Sequence, residues 1–444
     1  MLPRPLSEST MRLLLSIALV ACAAEAAKKF EGTLRSAVDA PPQDNLAIES
    51  GSPEPAVVAA PEGYQNPGAP PPTEPAAEEP EEPSAPAVPE TASGGVPPSA
   101  PSGASAPSAP ANSLEECDPE MIGFELVTGY VFSAPSHILD DIPGTLMLTD
   151  CLEQCQANDT CRAVNYETGL CVLFSSDADQ LPGALTKSQF PVFTIYAQKS
   201  CLGVRPCERA WCFDRVRGYH LKGHGNKTHV VGSRQMCLDL CLGENEFVCR
   251  SANYNNKTGE CVLSNMDRIT LAGTSLFQPN EDTDYLENNC VEEPTKLCEF
   301  KKMGGRILKT VDSVYQDVQT IEECRELCLN SPFRCHSYDH GDTGDHVCRL
   351  SHHSRATLAD IQDPYLEVPE AATYELSSCY NVSIDCRAGD MVAKIQTSKL
   401  FDGKIYAKGS PNSCVFDVKQ SLEFELHMGY NNLECNVKQN GLGR

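Results

Sequence analysis

The chain has 444 residues, 23 of them cysteine and 33 proline, and a formal net charge of -26. A field this negative repels nucleic acid unless a basic patch offsets it, and the sequence holds no such patch, so nucleic-acid partners are excluded. Length alone suits about three domains, and cysteine at this density belongs to an oxidising, secreted setting because cytosolic thiols are kept reduced.

Arg12 precedes an apolar run, Leu13 to Ala21, and small residues follow from Ala23 to Ala27. This layout predicts a signal peptide over residues 1–27. No later stretch reaches the ~18 apolar residues that span a bilayer, so no membrane span is expected in this chain. Between Phe30 and Ser113 there is no cysteine, 19 of the 33 prolines, and 12 acidic residues against the single basic Arg35. Low hydrophobicity and self-repelling charge cannot offset the entropy of ordering. A disordered Pro/Ala/Glu-rich stalk is therefore expected over 28–113, either a plain spacer or one carrying O-glycans on its Ser and Thr.

From Cys117 onward, 18 of the 22 cysteines fall into three sets of six. They are Cys117, Cys151, Cys155, Cys161, Cys171 and Cys201; Cys207, Cys237, Cys241, Cys249, Cys261 and Cys290; and Cys298, Cys324, Cys328, Cys335, Cys348 and Cys379. The second and third cysteines of each set are four apart, which puts both sulfurs on one face of a helix. Thr149, Ser233 and Thr320 are the expected N-caps, the last forming a capping box with Glu323. Between the fourth and fifth cysteines, short runs reach Thr168-Gly169, Thr258-Gly259 and Thr343-Gly344, each predicting a hairpin whose glycine takes a positive φ.

Cys161-Arg-Ala-Val-Asn-Tyr166 and Cys249-Arg-Ser-Ala-Asn-Tyr254 each lead to Cys-Val-Leu, and Cys335-His-Ser-Tyr338 to Cys348-Arg-Leu350 is a looser version. With the stapled helix, these segments resemble PAN/Apple domains, which implies an α+β fold of one helix on an antiparallel sheet. The expected modules are 117–201, 207–290 and 298–379. The resemblance implies nested pairing: Cys117–Cys201, Cys151–Cys171, Cys155–Cys161; Cys207–Cys290, Cys237–Cys261, Cys241–Cys249; Cys298–Cys379, Cys324–Cys348, Cys328–Cys335. Sequence alone allows 15 pairings for six cysteines.

Past residue 384 the texture changes. Met391 to Thr397 and Leu422 to Met428 are strand-like, the second alternating cleanly, with Leu422, Phe424, Leu426 and Met428 on one face. With Cys386, Cys414 and Cys435 in that order, 384–444 resembles the opening of a zona pellucida (ZP) domain, whose N-terminal half is an all-β immunoglobulin-like sandwich. That resemblance implies a Cys414–Cys435 bond and a domain truncated at Arg444, with an uncovered apolar face. Cys212 and Cys386 are then left over, either free, bonded to each other or bonded between molecules, and the choice of Cys207 over Cys212 as first cysteine of its set stays open.

Chemistry-bearing patterns are sparse. There is no Gly-x-Ser-x-Gly elbow, His-Glu-x-x-His helix or phosphate-binding glycine loop, so no catalytic residue, cofactor or metal is assigned and the chain is expected not to be an enzyme. His336, His340, His346, His352 and His353 gather near Asp339, Asp342 and Asp345; these types suit a metal, while the plain alternative is a solvated hairpin. Asn158, Asn226, Asn256 and Asn381 open N-glycosylation sequons. Trp211 is expected in a core. PAN plus ZP resembles secreted apical-matrix and cuticle proteins, including the NompA-like type. The implied partners are extracellular matrix proteins or glycans, with self-association through the ZP segment. A soluble PAN-domain lectin or receptor ectodomain is the alternative.

Overall fold

The computed structural model describes residues 46–50, 114–189, 193–341, 346–407, 410, 412–435 and 437. The expected signal peptide and most of the expected stalk lie outside these residues. Five stalk residues depart from expectation: Leu46–Ser50 form strand β1.

The first repeat runs through β2 (Ile122–Thr128), β3 (Tyr130–Phe132), β4 (Ile138–Pro143), helix α1 (Leu148–Ala157), β5 (Ala163–Glu167), β6 (Leu170–Phe174), β7 (Leu185–Lys187) and β8 (Ile195–Cys201). The second carries β9 (Phe213–Leu221), β10 (Lys227–Val230), α2 (Arg234–Leu242), β11 (Ser251–Asn255), β12 (Glu260–Ser264) and β13 (Phe277–Asn288). The third carries β14 (Leu297–Leu308), β15 (Ser313–Tyr315), α3 (Ile321–Leu329), β16 (Ser337–Gly341), β17 (Cys348–Ser351) and β18 (Tyr365–Cys386).

All three lay down one strand order: β2-β8-β5-β6-β4, then β9-β13-β11-β12-β10, then β14-β18-β16-β17-β15. The helix always enters between the edge strand and the central hairpin, and its two cysteines face inward, buried in every copy. In the first module Cys151 bonds Cys171 on β6 and Cys155 bonds Cys161 ahead of β5, while Cys117–Cys201 closes the module. The second has Cys207–Cys290, Cys237–Cys261 and Cys241–Cys249. The third has Cys298–Cys379, Cys324–Cys348 and Cys328–Cys335. In the second hairpin Gly259 has φ +71°, and a Cβ there would lie 2.4 Å from the Val231 carbonyl oxygen, so only glycine fits. Thr343 and Gly344 lie outside the described residues.

Two of the three expected caps are present. Ser233 accepts from the Met236 amide at 3.2 Å and Thr320 from the Glu323 amide at 3.1 Å. Thr149 is not a cap: it sits inside α1, whose N-cap is Met147 with no side-chain bond. The third module supplies what the cap would have supplied. Leu148 donates its amide to the Asp312 carbonyl at 2.7 Å, and Met147 bridges to Ser313.

Strand β18 passes Cys379 without a break, then turns into β19 (Asp390–Ala407) and β20 (Val415–Gly429), an antiparallel meander. β1 pairs with the far end of β19, from Leu46 opposite Ala407 to Ser50 opposite Gly403. β1 meets an open strand edge there, and edge pairing orders a short segment that composition alone marks as spacer. The apolar face of β20 is not uncovered. Phe424, Leu426 and Met428 are buried with Met391, Ile395, Phe401 and Val418 in the meander's own cluster. Register shifts between Gln396 and Gly403 break the ladder where the strands bend, and Cys414–Cys435 closes the end. Cys386 is also disulfide-bonded, so the expectation of an unpaired sulfur fails there. Cys212 is the free cysteine among the described residues. No helix among the described residues is long and apolar enough to cross a membrane.

Candidate functional site

The modules do not hang as separate beads. β2 and β9 pair in parallel, Glu125 opposite Phe213 and Leu126 opposite Asp214, which fuses the first two modules into one ten-stranded sheet. Across that seam Glu125, fully buried, takes Arg215 at 3.4 Å and Arg234 at 2.9 Å, and Arg234 also reaches Asp179 at 2.7 Å. The third module closes on both. Val314 donates its amide to the Leu146 carbonyl at 3.0 Å, and His353 Nε2 lies 2.8 Å from Thr128 Oγ1.

Between the second and third modules the seam is charged and buried. Arg334 donates to the Asn288 carbonyl at 3.2 Å, to Asp267 at 3.3 Å and to Glu293. Arg268 donates to Glu287 at 2.9 Å and to the Thr357 carbonyl at 2.8 Å. Burial works to raise the Glu287 carboxyl, but Arg268 and Arg334 overcome it and hold the group at about 2. Burial likewise opposes Arg334 and Arg268, whose carboxylate partners more than compensate and keep both guanidinium groups charged. Trp211 caps the seam, stacked on Phe333 at 5.1 Å and edge-on to His352 at 5.1 Å. It therefore packs between modules rather than inside one.

The histidines divide. His336, His352 and His353 are buried, and each takes a protein partner: His336 Nδ1 the His352 carbonyl at 2.6 Å, His352 Nδ1 Asp312 at 2.7 Å, and His353 Nδ1 Thr357 at 2.9 Å. Burial lowers the affinity of His352 for a proton, but Asp312 and Asp214 outweigh it and the net shift is upward. Burial and the neighbouring His352 push His353 well below the usual imidazole range. His340 turns to the Val318 carbonyl at 3.1 Å, and His346 is exposed. Asp339 is buried, and burial raises its carboxyl to about 7. Asp342 and Asp345 lie outside the described residues. Among the described residues, the set of three ligand-type side chains drawn together is Cys207, Cys212 and Cys290 instead.

Open space lies elsewhere, on the first module. Two loops, Ser133 to His137 and Gln180 to Ala184, wall a cleft of about 500 Å³. Each loop makes a short helical turn with proline at its start, Pro135 and Pro182, which fixes the backbone before any ligand arrives. The walls are mostly small side chains, with Ser133, Ser136, His137 and Gln180 as donors and acceptors. No motif marks these loops in the sequence. Of the sequons, Asn226 and Asn256 are exposed on the second module, whereas Asn158 and Asn381 are half-buried. The Asn381 side-chain oxygen accepts from the Thr295 and Lys296 amides at 3.2 and 3.1 Å.

A family model described as the PAN domain matches residues 117–201, 212–290 and 298–379. In sequence, the chain is similar to protein let-653 of Caenorhabditis elegans, 27% identical over 139 residues, which is 29% of this chain and 17% of that protein. It is also similar to an uncharacterised protein of the same nematode, 29% identical over 90 residues, 19% of this chain and 31% of that one. The matched stretches thus span less than a third of either relative's own length. Among solved structures it is similar to the two N-terminal apple domains of Toxoplasma gondii microneme protein 4, at 14% identity and a TM-score of 0.14, over 37% of this chain and 85% of that one.

Proposed function

Since the chain belongs to the PAN domain family, we propose that it is a secreted, non-enzymatic structural or adhesive protein of an apical extracellular matrix or cuticle. PAN domains are extracellular binding modules for protein or carbohydrate, and three of them occupy most of the described chain. The observation that carries the reading is the mutual locking of the three modules by Glu125, Arg334 and Arg268. Modules held in one body present their surfaces at fixed spacing, so a ligand with repeated epitopes engages several without paying to order a linker. The preformed cleft of the first module, small-walled and polar-edged, is the binding site we assign. In this reading residues 384–444 are the start of a ZP-type assembly segment, supported by the order of Cys386, Cys414 and Cys435 and by the β18–β20 meander.

The test is a glycan array and a panel of immobilised matrix polysaccharides probed with the disulfide-intact chain, beside its Ser136→Arg/Gly183→Arg variant. Ser136 is exposed and a Cβ on Gly183 meets nothing within 4 Å, so the variant folds while blocking the cleft. Retention by a defined glycan class, lost in the variant, supports the reading. Equal retention of both proteins removes the cleft assignment.

A further inference from the structure

Cys212 is buried, 2% exposed, and burial pushes its thiol up to about 12. It is not isolated. The sulfurs of Cys207, Cys212 and Cys290 all lie within 4.8 Å of one another, and two of them, Cys207 and Cys290, are already bonded. The backbone holds this cluster in place: Asn289 donates its amide to the Cys212 carbonyl at 2.8 Å, and Cys212 donates to the Phe124 carbonyl at 3.0 Å. Gly123 leaves the free sulfur its room, since a Cβ there would stand 2.7 Å from Cys212 Sγ. A second observation points the same way. The first and third family matches run from Cys117 to Cys201 and from Cys298 to Cys379, both bonded pairs, whereas the second runs from Cys212 to Cys290.

We propose that Cys207 and Cys212 are alternative partners of Cys290, so that exchange inside the module moves the free thiol from a buried sulfur to Cys207, a covalent attachment site for a disulfide-bearing protein of the surrounding matrix. In the first step the Cys212 thiolate attacks Cys290 Sγ. The Cys207–Cys290 bond breaks, and Cys207 leaves as a thiolate that takes up the proton Cys212 gave. No oxidant is consumed. In the second step Cys207 gives that proton to solvent, and its thiolate attacks the partner's disulfide, forming a mixed disulfide and releasing one partner thiolate. Cys207 and Cys290 are half-buried, so both are nearer solvent than Cys212. The raised pKa of Cys212 makes the first step slow at neutral pH and faster as pH rises. This inference does not depend on which ligand the cleft takes.

The full-length chain is treated under native conditions at pH 8.5 with 4,4′-dithiodipyridine, an aromatic disulfide that stands in for the partner, then acid-quenched and mapped by non-reducing peptide mass spectrometry. The expected result is a mixed disulfide on Cys207 in the same molecules that carry a Cys212–Cys290 bond. An adduct on Cys212 with Cys207–Cys290 intact overturns the proposal, and so does a folded chain that takes no adduct over many hours. Cys207→Ser is the second arm. It should be secreted with a Cys212–Cys290 bond and release no thiopyridone; a free Cys290 in that variant also overturns the proposal. If Cys207→Ser is not secreted, the mapping of the unaltered chain still decides.

Discussion

The inside of each PAN module and the seam between the second and third modules are held by different chemistry. Inside, three disulfides recur in every copy, and in the first module they surround an apolar set that includes Leu126, Leu148, Val164 and Leu173. At the seam of the second and third modules the contacts are Arg334 with Asp267 and Glu293, Arg268 with the Thr357 carbonyl, and His352 with Asp214. An apolar seam would bind almost any apolar surface, including the wrong module. Buried charges bind only where each finds its partner, because an unpaired ion in a dry site is costly. One framework copied three times needs such a rule to keep its copies in register.

Breaking the charged seam should therefore be the more damaging experiment. Arg334→Met strands Asp267 and Glu293 without their guanidinium, and losing one partner of a buried pair costs about 3–5 kcal/mol. The expected outcome is a lower urea midpoint and a new early proteolytic cut between the second and third modules. A midpoint unchanged within error would show that the modules stand independently.

Opening a staple inside a module comes next. The Cys237→Ala/Cys261→Ala double variant removes the bond that ties α2 to β12, across 24 residues of chain. Loss of a disulfide typically costs about 2–4 kcal/mol. The damage should stay local: hydrogen exchange should quicken in α2 and β10 to β12 while the first module keeps its protection. Spread of fast exchange into all three modules would place the seams and the staples in one cooperative unit.

This contrast also explains what the sequence disclosed. The inner cysteine pairs, at most 24 residues apart, the glycine at 259 and the caps Ser233 and Thr320 act over short stretches of chain, so a local pattern carries them. Glu125 and Arg234 are 109 residues apart and His353 and Thr128 are 225 apart, and no local pattern marks such pairs. The histidines illustrate the cost of reading locally: a run that resembles a metal set is in fact divided among a module seam, the third module's own interior and the solvent. Trp211 was legible as core, though not as core shared by two modules. β1 was hidden for the opposite reason, because its partner β19 lies more than 300 residues downstream of a segment whose composition is that of a spacer.

A pH measurement sharpens the comparison from inside the third module. Asp339 receives the Leu308 amide at 3.3 Å, yet burial raises its carboxyl from 3.8 to about 7. The folded chain then binds a proton that the unfolded chain has released between those values, so stability from this group falls as pH rises from about 4 to about 7. Asp339→Asn keeps the shape and removes the titration. Its denaturation midpoint should match the parent at pH 4 and exceed it at pH 8. Equal midpoints at both values would mean that Asp339 is ionised at neutral pH in the fold.

The smallest effect separates a helix end held by its own cap from one held by another module. α2 and α3 begin at Ser233 and Thr320, whose side chains each satisfy one amide of the first turn. Replacing such a cap by alanine costs about 1 kcal/mol. α1 has no such side chain, and the amide of Leu148 is met by the Asp312 carbonyl of the third module. Ser233→Ala and Thr320→Ala should each lower stability by about that amount, whereas Thr149→Ala, which removes a β-branched residue from the helix interior, should change it by only a few tenths. Amide exchange adds the decisive readout. In Arg334→Met, where the third module is loosened, the first turn of α1 should exchange faster while the first turn of α2 does not. If both turns keep their protection, the N-terminus of α1 is held by its own module and the contact with Asp312 is incidental.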